Sequence, residues 1–480
     1  MLKVVNFIFG ITIVLIIVVL VLENDDPVRT LAWILLLLYI PIIGFILYLF
    51  FGRNWRKTRL FNRKELADKD HLDRIFREYL GSLELNAGSD LQQKLCRLLD
   101  TNSKAILTKK NSVEIVSDTN AALNDICAAI ENAKKHVHLE YFSIANDETG
   151  NRVKDLLIRK ARQGVEVRFI YDDVGSWSLG YKFKSELRSA GVMFKPFMPV
   201  WLPILNSRLN YRNHRKLVIV DGERGFLGGL NIGDKYMGKN KYFGYWRDSL
   251  VKLRGDSVTA LQADFCLDWY FVSKQNLLSE EAFRQFLPEA RMKVEGSPDI
   301  PVQIAASGPD SDHASILQVF FSAISNAKRS IRITSPYLIL NSSLLMALKT
   351  AAFSGVNIQI ILPGRADHFI VWWGSKSYYR ELLEAGIEIY EYRSGFMHAK
   401  VLIVDEEVLS IGTVNMDLRS FNQNFEITAM VYDAGTAIQA ITQFEIDRGQ
   451  SLQIDLEEFQ NRSVVKKALE SLCRLFSPLL

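Results

Sequence analysis

Apolar positions along this chain fall into three regimes. Val4 to Leu22 is a run of 19 residues without a charge, and Leu31 to Phe51 is a second run of 21. At ~1.5 Å per residue, each is long enough for a hydrocarbon core of ~30 Å. The loop between them, ENDDPVRT, is short and acidic. Lys3 precedes the first run, and Arg53, Arg56, Lys57 and Arg59 follow the second. Positive flanks at both outer ends predict a membrane hairpin over residues 1–52, spans about 4–22 and 31–51, with both termini cytoplasmic. Residues 53–110 are charged and mildly amphipathic, as in LQQKLCRLLD, and read as a connector.

From about residue 111 the pattern becomes a helical period, a Gly, then a short apolar run. ICAAIENAKKHVHLEYFSI (126–144), LLIRKARQGVEVRFIYDDVGS (156–176) and FKSELRSAGVMFKPF carry it in the first half. VFFSAISNAKRSIRITSPYLI (319–339), ALKTAAFSGVNIQIILPG (347–364) and YRELLEAGIEIYEY (379–392) repeat it in the same order. Runs such as VEVRFIYDD are apolar enough to be covered on both faces. Helices alternating with buried strands predict an α/β fold. The repeat predicts two tandem domains, 111–300 and 301–480, related by pseudo-twofold symmetry.

Each half then adds a polar motif on the same apolar background. NHRKLVIVDGERGFLGGLN (213–231) places His214, Lys216, Asp221 and Asn231 at the same offsets as His398, Lys400, Asp405 and Asn415 in MHAKVLIVDEEVLSIGTVN (397–415). On a strand, His and Lys two apart share a face. Burying such a face is costly unless an anion meets it. Two His, two Lys and two Asn around one cleft suit a phosphate. A pseudo-twofold axis would bring both motifs into that cleft.

Composition narrows the chemistry. The chain of 480 residues is 48% hydrophobic and 23% charged with a formal net charge of +4, too weak a bias for a nucleic-acid binder. Its four cysteines are scattered, with no C-x-x-C, which argues against a zinc site or a disulfide framework. There is no Gly-rich nucleotide loop and no acidic metal cluster, so no cofactor and no metal are expected.

The two H-x-K-x4-D segments, with the downstream GGLN and GTVN, resemble the phospholipase D superfamily. LNYRNHRK, YWRD, SFNQNFE and the hairpin ending FGRNWRK resemble its bacterial cardiolipin synthases. The resemblance implies two phospholipase D-like domains behind a transmembrane hairpin. It implies phosphatidyl transfer between two phosphatidylglycerol molecules through a phosphohistidine, giving cardiolipin and glycerol, with no nucleic-acid partner. It places the chain in the bacterial cell membrane, multi-pass, with its catalytic domains on the cytoplasmic side. It makes His214 the nucleophile and His398 the acid/base, with Lys216, Lys400, Asn231 and Asn415 on the phosphate oxygens. It puts the orienting acceptor of His398 at Glu426 and that of His214 at Asp248. Asp221 and Asp405 are expected to be more structural than chemical.

Aromatic stretches at 335–340 and 367–380 read either as a lipid-facing rim or as ordinary packing. Residues 192–212 read as an interfacial loop. The C-terminal helical segment reads as docking on the domain or touching the membrane.

Overall fold

The structure, a computed structural model, describes residues 2–22, 27–48, 88–200, 210–288, 299–311 and 313–477. Its contacts divide the chain into two compact units, Met1–Asn62 with Val200–Leu209, and Arg63–Pro199 with Asn210–Leu480.

The described part of the first unit is three helices, Leu2–Leu22, Pro27–Tyr39 and Pro41–Leu47. The second predicted span is therefore not continuous. Ile40 leaves helical geometry at φ −133° and ψ 65°, and Pro41 starts a new helix, because a proline disfavours α geometry in the residue before it. Edge-on ring contacts, Phe9 with Phe45 and Trp33 with Tyr48, tie the helices together. Counted over described residues alone, no helix is long and apolar enough to cross a membrane.

The second unit holds two sheets of one design. In its first half the strands are β1 (Asn111–Asp118), β2 (His136–Tyr141), β3 (Glu166–Asp172), β4 (Met193–Phe197), β5 (Lys216–Val220), β6 (Arg224–Gly228) and β7 (Tyr245–Gly255). The second half continues with β8 (Val302–Ser307), β9 (Ser330–Thr334), β10 (Leu338–Ile339), β11 (Asn357–Pro363), β12 (Glu388–Tyr392) and β13 (Gly395–Met397). It ends with β14 (Val401–Val404), β15 (Val408–Gly412), β16 (Met416–Asp417), β17 (Glu426–Val431) and β18 (Ser451–Gln453). The first sheet runs β1-β7-β6-β5-β2-β3-β4 and the second β8-β17-β15-β14-β9-β11-β12, with β18 added at its edge. Strand for strand the orders correspond, as the repeat predicts.

The Gly positions explain how each helix returns to its sheet. Gly164, Gly191, Gly355 and Gly386 follow helices at φ between +84° and +92°, a left-handed turn that glycine adopts without a Cβ clash. The parallel strands β2, β3, β9 and β11 carry Val137, Leu139, Phe169, Ile331, Ile333 and Ile360, all almost fully buried.

The predicted connector contributes to this packing. Its helix Asp90–Ser103 begins with a capping box between Ser89 and Gln92. Leu91, Leu95 and Leu99 enter the core of the second half, against Ile316, Phe320 and Ile331. The chain thus reaches its second domain once before building the first.

Candidate active site

The two halves meet through their His-bearing segments. His214 and His398 do not lie within strands. Each sits in the extended run just ahead of one, and each donates its backbone N–H to the opposite half, His214 to Phe425 O at 2.9 Å and His398 to Arg247 O at 2.7 Å. β13 pairs in parallel with the start of β7, and Asn213 bridges to Phe425 in the same way. The segment before His398 is therefore an extra strand on the first half's sheet, and the residue before His214 makes a single bridge to the second half.

This exchange decides how the imidazoles are held. His214 Nδ1 lies 2.9 and 3.0 Å from the two carboxylate oxygens of Glu426. His398 Nδ1 lies 2.6 Å from Asp248 Oδ2. The pairing expected from the sequence, Glu426 with His398 and Asp248 with His214, is corrected: each carboxylate serves the His of the opposite half. The reason is the backbone pairing, since Phe425 and Arg247 deliver the carboxylate that follows them to the His bonded across the interface.

The carboxylates are themselves held. Glu426 accepts from Thr413 Oγ1 at 2.5 Å and Asn424 Nδ2 at 3.1 Å. Asp248 accepts from the N–H of Ser249 at 2.8 Å. At Thr413's equivalent stands Gly229, where a Cβ would lie 2.1 Å from Asp248 Oδ1. The Gly229/Thr413 difference between the two motifs is thus set by the carboxylates: the shorter Asp248 packs against a bare glycine, while Glu426 is steadied by a hydroxyl.

Lys216 Nζ and Lys400 Nζ fold back onto the carbonyls of their own His, at 2.6 and 2.5 Å. Lys400 Nζ also stands 2.8 Å from His398 Nδ1 and 3.1 Å from Nε2. His and Lys are therefore neighbours, as their alternation predicts. Phe142 walls His214 and Trp246 walls His398, with ring centres 5.1 and 5.0 Å apart. Asn231 Oδ1 accepts from Ser143 N at 3.2 Å, and Asn415 Oδ1 is buried with no partner among the described residues.

Burial sets the charges. It pushes the His214 imidazole down to about 4, against the pull of Glu426. It pushes His398 down to about 3, with Lys400 adding to the effect. Both imidazoles are neutral at pH 7. Burial likewise lowers Lys400 to about 8 and carries Lys216 well below the ordinary lysine range. For Asp248, burial works upward, but Lys400 and His398 outweigh it and the carboxyl ends below its usual value. Glu426 follows the same logic with His214 and Lys216.

Asp221 and Asp405 stand apart from this centre. Each takes a left-handed φ, +55° and +53°, in the turn after its strand. Asp221 accepts three backbone N–H groups, from Lys134, Lys135 and His136, at 2.8 to 3.0 Å. Asp405 accepts from Lys328, Arg329 and Ser330 at 2.7 to 3.0 Å.

Sequence reading missed two buried ion pairs. Arg215 reaches Asp268 behind His214, and Arg247 pairs with Asp447 at 2.8 Å across the halves. The equivalents of Asn213 and Arg215 in the second half are Met397 and Ala399, which sit in an apolar cluster with Ile361, Tyr390 and Tyr392. Among the described residues no group of three or more His, Cys, Asp or Glu is placed to hold a metal ion.

A family model described as "Cardiolipin synthase, PLD-like domain" matches residues 126–254 and again 320–448. The chain belongs to the cardiolipin synthase family. It is accordingly a phosphatidyltransferase of the phospholipase D superfamily that makes cardiolipin. A second model, "Phospholipase_D-nuclease N-terminal", matches residues 10–53. The cardiolipin synthase of Halalkalibacterium halodurans is 43% identical over 98% of this chain and 92% of its own length. The major cardiolipin synthase of Bacillus subtilis is 41% identical over 98% of both. Among solved structures, phosphatidylserine synthase of Haemophilus influenzae has a TM-score of 0.60 at 16% identity, covering 80% of this chain and 98% of that one, a likeness of fold.

The aromatic stretches divide. In 335–340, Leu338 and Ile339 are buried core, and Tyr337 gives its hydroxyl to Asp367. In 367–380, Phe369 and Ile370 are exposed. Within the predicted interfacial loop, residues 201–209 lie outside the described residues. The C-terminal helix Val464–Arg474 docks through Arg474, which bonds Ser377 O at 3.4 Å and Glu381 at 2.6 Å, and leaves Val464, Val465 and Leu472 exposed.

Proposed function

We propose that cardiolipin is made here by two successive displacements at one phosphorus. His214 Nε2 attacks the phosphodiester of a first phosphatidylglycerol. An N–P bond forms, the P–O bond to the headgroup glycerol breaks, and His398 Nε2 gives that oxygen its proton. A hydroxyl of a second phosphatidylglycerol then gives its proton back to His398 and attacks the phosphohistidine. The N–P bond breaks, a new P–O bond forms, and the products are cardiolipin and free glycerol. Dividing the exchange this way replaces one difficult step by two easier ones.

The observation that carries this reading is the crossed carboxylate pairs. With both Nδ1 atoms committed to Glu426 and Asp248, each imidazole turns Nε2 toward the chemistry, that of His398 with Lys400 Nζ 3.1 Å away. The low affinity of His214 for protons leaves it ready to attack. His398 has to gain a proton to act as an acid. A bound phosphodiester favours that, because its negative charge offsets Lys400 and Lys216, which add to burial in holding the imidazole neutral. Lys216, Lys400, Asn231 and Asn415 supply donors for the non-bridging oxygens.

The substrate class places the reaction at a membrane, and the two apolar runs before residue 52 are proposed as its anchor. In this reading the hairpin is multi-pass, with the catalytic unit on the cytoplasmic face. Cysteines introduced into 23–30 and 53–59 of the protein in intact cells test the topology. An impermeant thiol reagent should label the first stretch and spare the second; the reverse pattern rejects this orientation.

The mechanism is tested with the purified protein in detergent and phosphatidylglycerol labelled in its phosphatidyl group. Acid-labile label should be trapped on the wild type, and on His398→Ala when the labelled phosphatidyl donor carries a leaving group that needs no proton, and be lost in His214→Ala. Label kept in His214→Ala and lost in His398→Ala reverses the two roles. Phosphatidic acid as sole product replaces transfer by hydrolysis.

A further inference from the structure

Resting on that mechanism, one requirement has no residue assigned to it. The second phosphatidylglycerol brings its own phosphodiester, which lies across a three-carbon bridge from the hydroxyl that attacks. While Lys216 and Lys400 attend the reacting phosphate, a second anion must be accommodated on the His398 side of the cleft.

Lys235 stands there. Its ammonium lies 4.5 Å from the ring centre of Phe243, 5.1 Å from that of Trp246 and 5.8 Å from that of Tyr236. The Trp246 ring in turn is 5.0 Å from His398, so the ammonium and His398 are at most about 10 Å apart. A second line of contacts agrees. Asp367 acts electrostatically on both Lys235 and Lys400, which puts the three groups in one neighbourhood. Among the described residues no hydrogen-bond or ion-pair partner engages the Lys235 ammonium, although most other half-buried lysines have one, such as Lys252 with Glu114 and Asp125. A half-buried cation held over aromatic rings has its charge available to an incoming anion.

The repeat supplies an independent indication. Lys235 follows His214 by twenty-one residues, and Arg419 follows His398 by the same interval, in NIGDK and NMDLR. Arg419 reaches Asn424 at 3.4 Å, and Asn424 bonds Glu426, the partner of His214. The duplicated domain therefore sets one outer cation toward each His, Lys235 toward His398 and Arg419, through Asn424 and Glu426, toward His214, crossed as the carboxylates are.

We propose that Lys235 is a binding residue for the phosphodiester of the acceptor lipid, and that it selects a phosphate-bearing alcohol over a neutral one. The three-carbon bridge, ended by a charge-assisted hydrogen bond of ~2.8 Å, fits the available separation. A neutral acceptor such as glycerol presents the same hydroxyl to His398 and gains nothing from Lys235.

The test compares two acceptors at one phosphoenzyme. The full chain in detergent micelles of phosphatidylglycerol is given labelled glycerol, and cardiolipin formation and label incorporation into phosphatidylglycerol are measured together. Lys235→Met keeps the stem over the rings and removes the charge. The ratio of cardiolipin to glycerol incorporation should fall about tenfold, the size of a lost charged hydrogen bond, and Lys235→Arg should restore it. Because the readout is a ratio, loss of folded protein does not imitate the effect. An unchanged ratio in Lys235→Met overturns the proposal, as does a shifted ratio in Arg419→Met instead, which would put the acceptor beside His214. Failure of the wild type to form cardiolipin at all would reject the underlying mechanism rather than this residue.

Discussion

At the scale of single residues, the site is a matter of which carboxylate holds which imidazole. Glu426→Gln should act on the His214 step and Asp248→Asn on the His398 step, each slowing turnover by about 10²- to 10⁴-fold. Rapid-quench trapping separates them. The first variant should accumulate little phosphoenzyme. The second should form it from a substrate with a good leaving group and then stall. A swap of these phenotypes would contradict the crossed pairs.

Acid should destabilise the fold for the same reason that the imidazoles are neutral. In the unfolded chain both take up protons near pH 6.5, while in the folded chain they resist to about 4 and 3. Between those values the unfolded state binds more protons, so stability falls as pH drops from ~6.5 toward 4. The depressed Asp248 and Glu426 carboxyls act in the same direction, contributing above their ordinary range and losing that contribution below it. Thermal unfolding at pH 7.5, 5.5 and 4.5 should show a steep decline that His214→Gln and His398→Gln make shallower.

Among elements, the turns after β5 and β14 show what a motif residue does without chemistry. Asp221→Ala removes the acceptor for three N–H groups and leaves a non-glycine residue at positive φ. The expected cost is about 2–3 kcal/mol, seen as a lowered Tm, while activity per folded molecule changes little. Gly229→Thr, which makes the first half resemble the second, should instead damage the site, since its Cβ would overlap Asp248. Recovery in the double variant with Asp248→Ala would show that the clash is the cause, read as restored Tm.

It is at this scale that the legibility of the sequence is clearest. Helix, Gly and strand succession, the correspondence of the halves and the pairing of each His with its Lys were all readable, because each follows from local spacing. The break at Ile40 was missed, although Pro41 marks it. The crossing of the carboxylates was not readable. Spacing along a chain says how far Asp248 lies from His214, but not which side of an interface its carboxyl faces. With two similar halves, the direct and crossed arrangements fit the same residues. Lys235 and Arg419 could have been found, since their offset repeats; they escaped notice because one is a Lys and the other an Arg, set in otherwise unlike segments.

For the whole molecule, neither half is a complete enzyme. A chain ending near residue 288 would hold His214 without Glu426, and its helix Asp90–Ser103 would lose the core it packs into. Such a fragment should be inactive and poorly folded. Two full-length chains, one Glu426→Gln and the other His214→Ala, should likewise fail to complement when mixed, because the pair must lie in one folded molecule. Recovered cardiolipin synthesis in the mixture would mean that the halves exchange between chains.

On the proposed mechanism, the crossing also sets when the nucleophile is first assembled in a growing chain. During translation His214 emerges early, already beside lipid if the leading apolar segment has been inserted. Its carboxylate is encoded 212 residues later, and until that residue has been made and its strand laid down, an imidazole that could open a phosphodiester has nothing to orient it. An unfinished polypeptide is for that reason a safe one, and the capacity to break lipid bonds arrives together with the domain that completes the reaction by joining them.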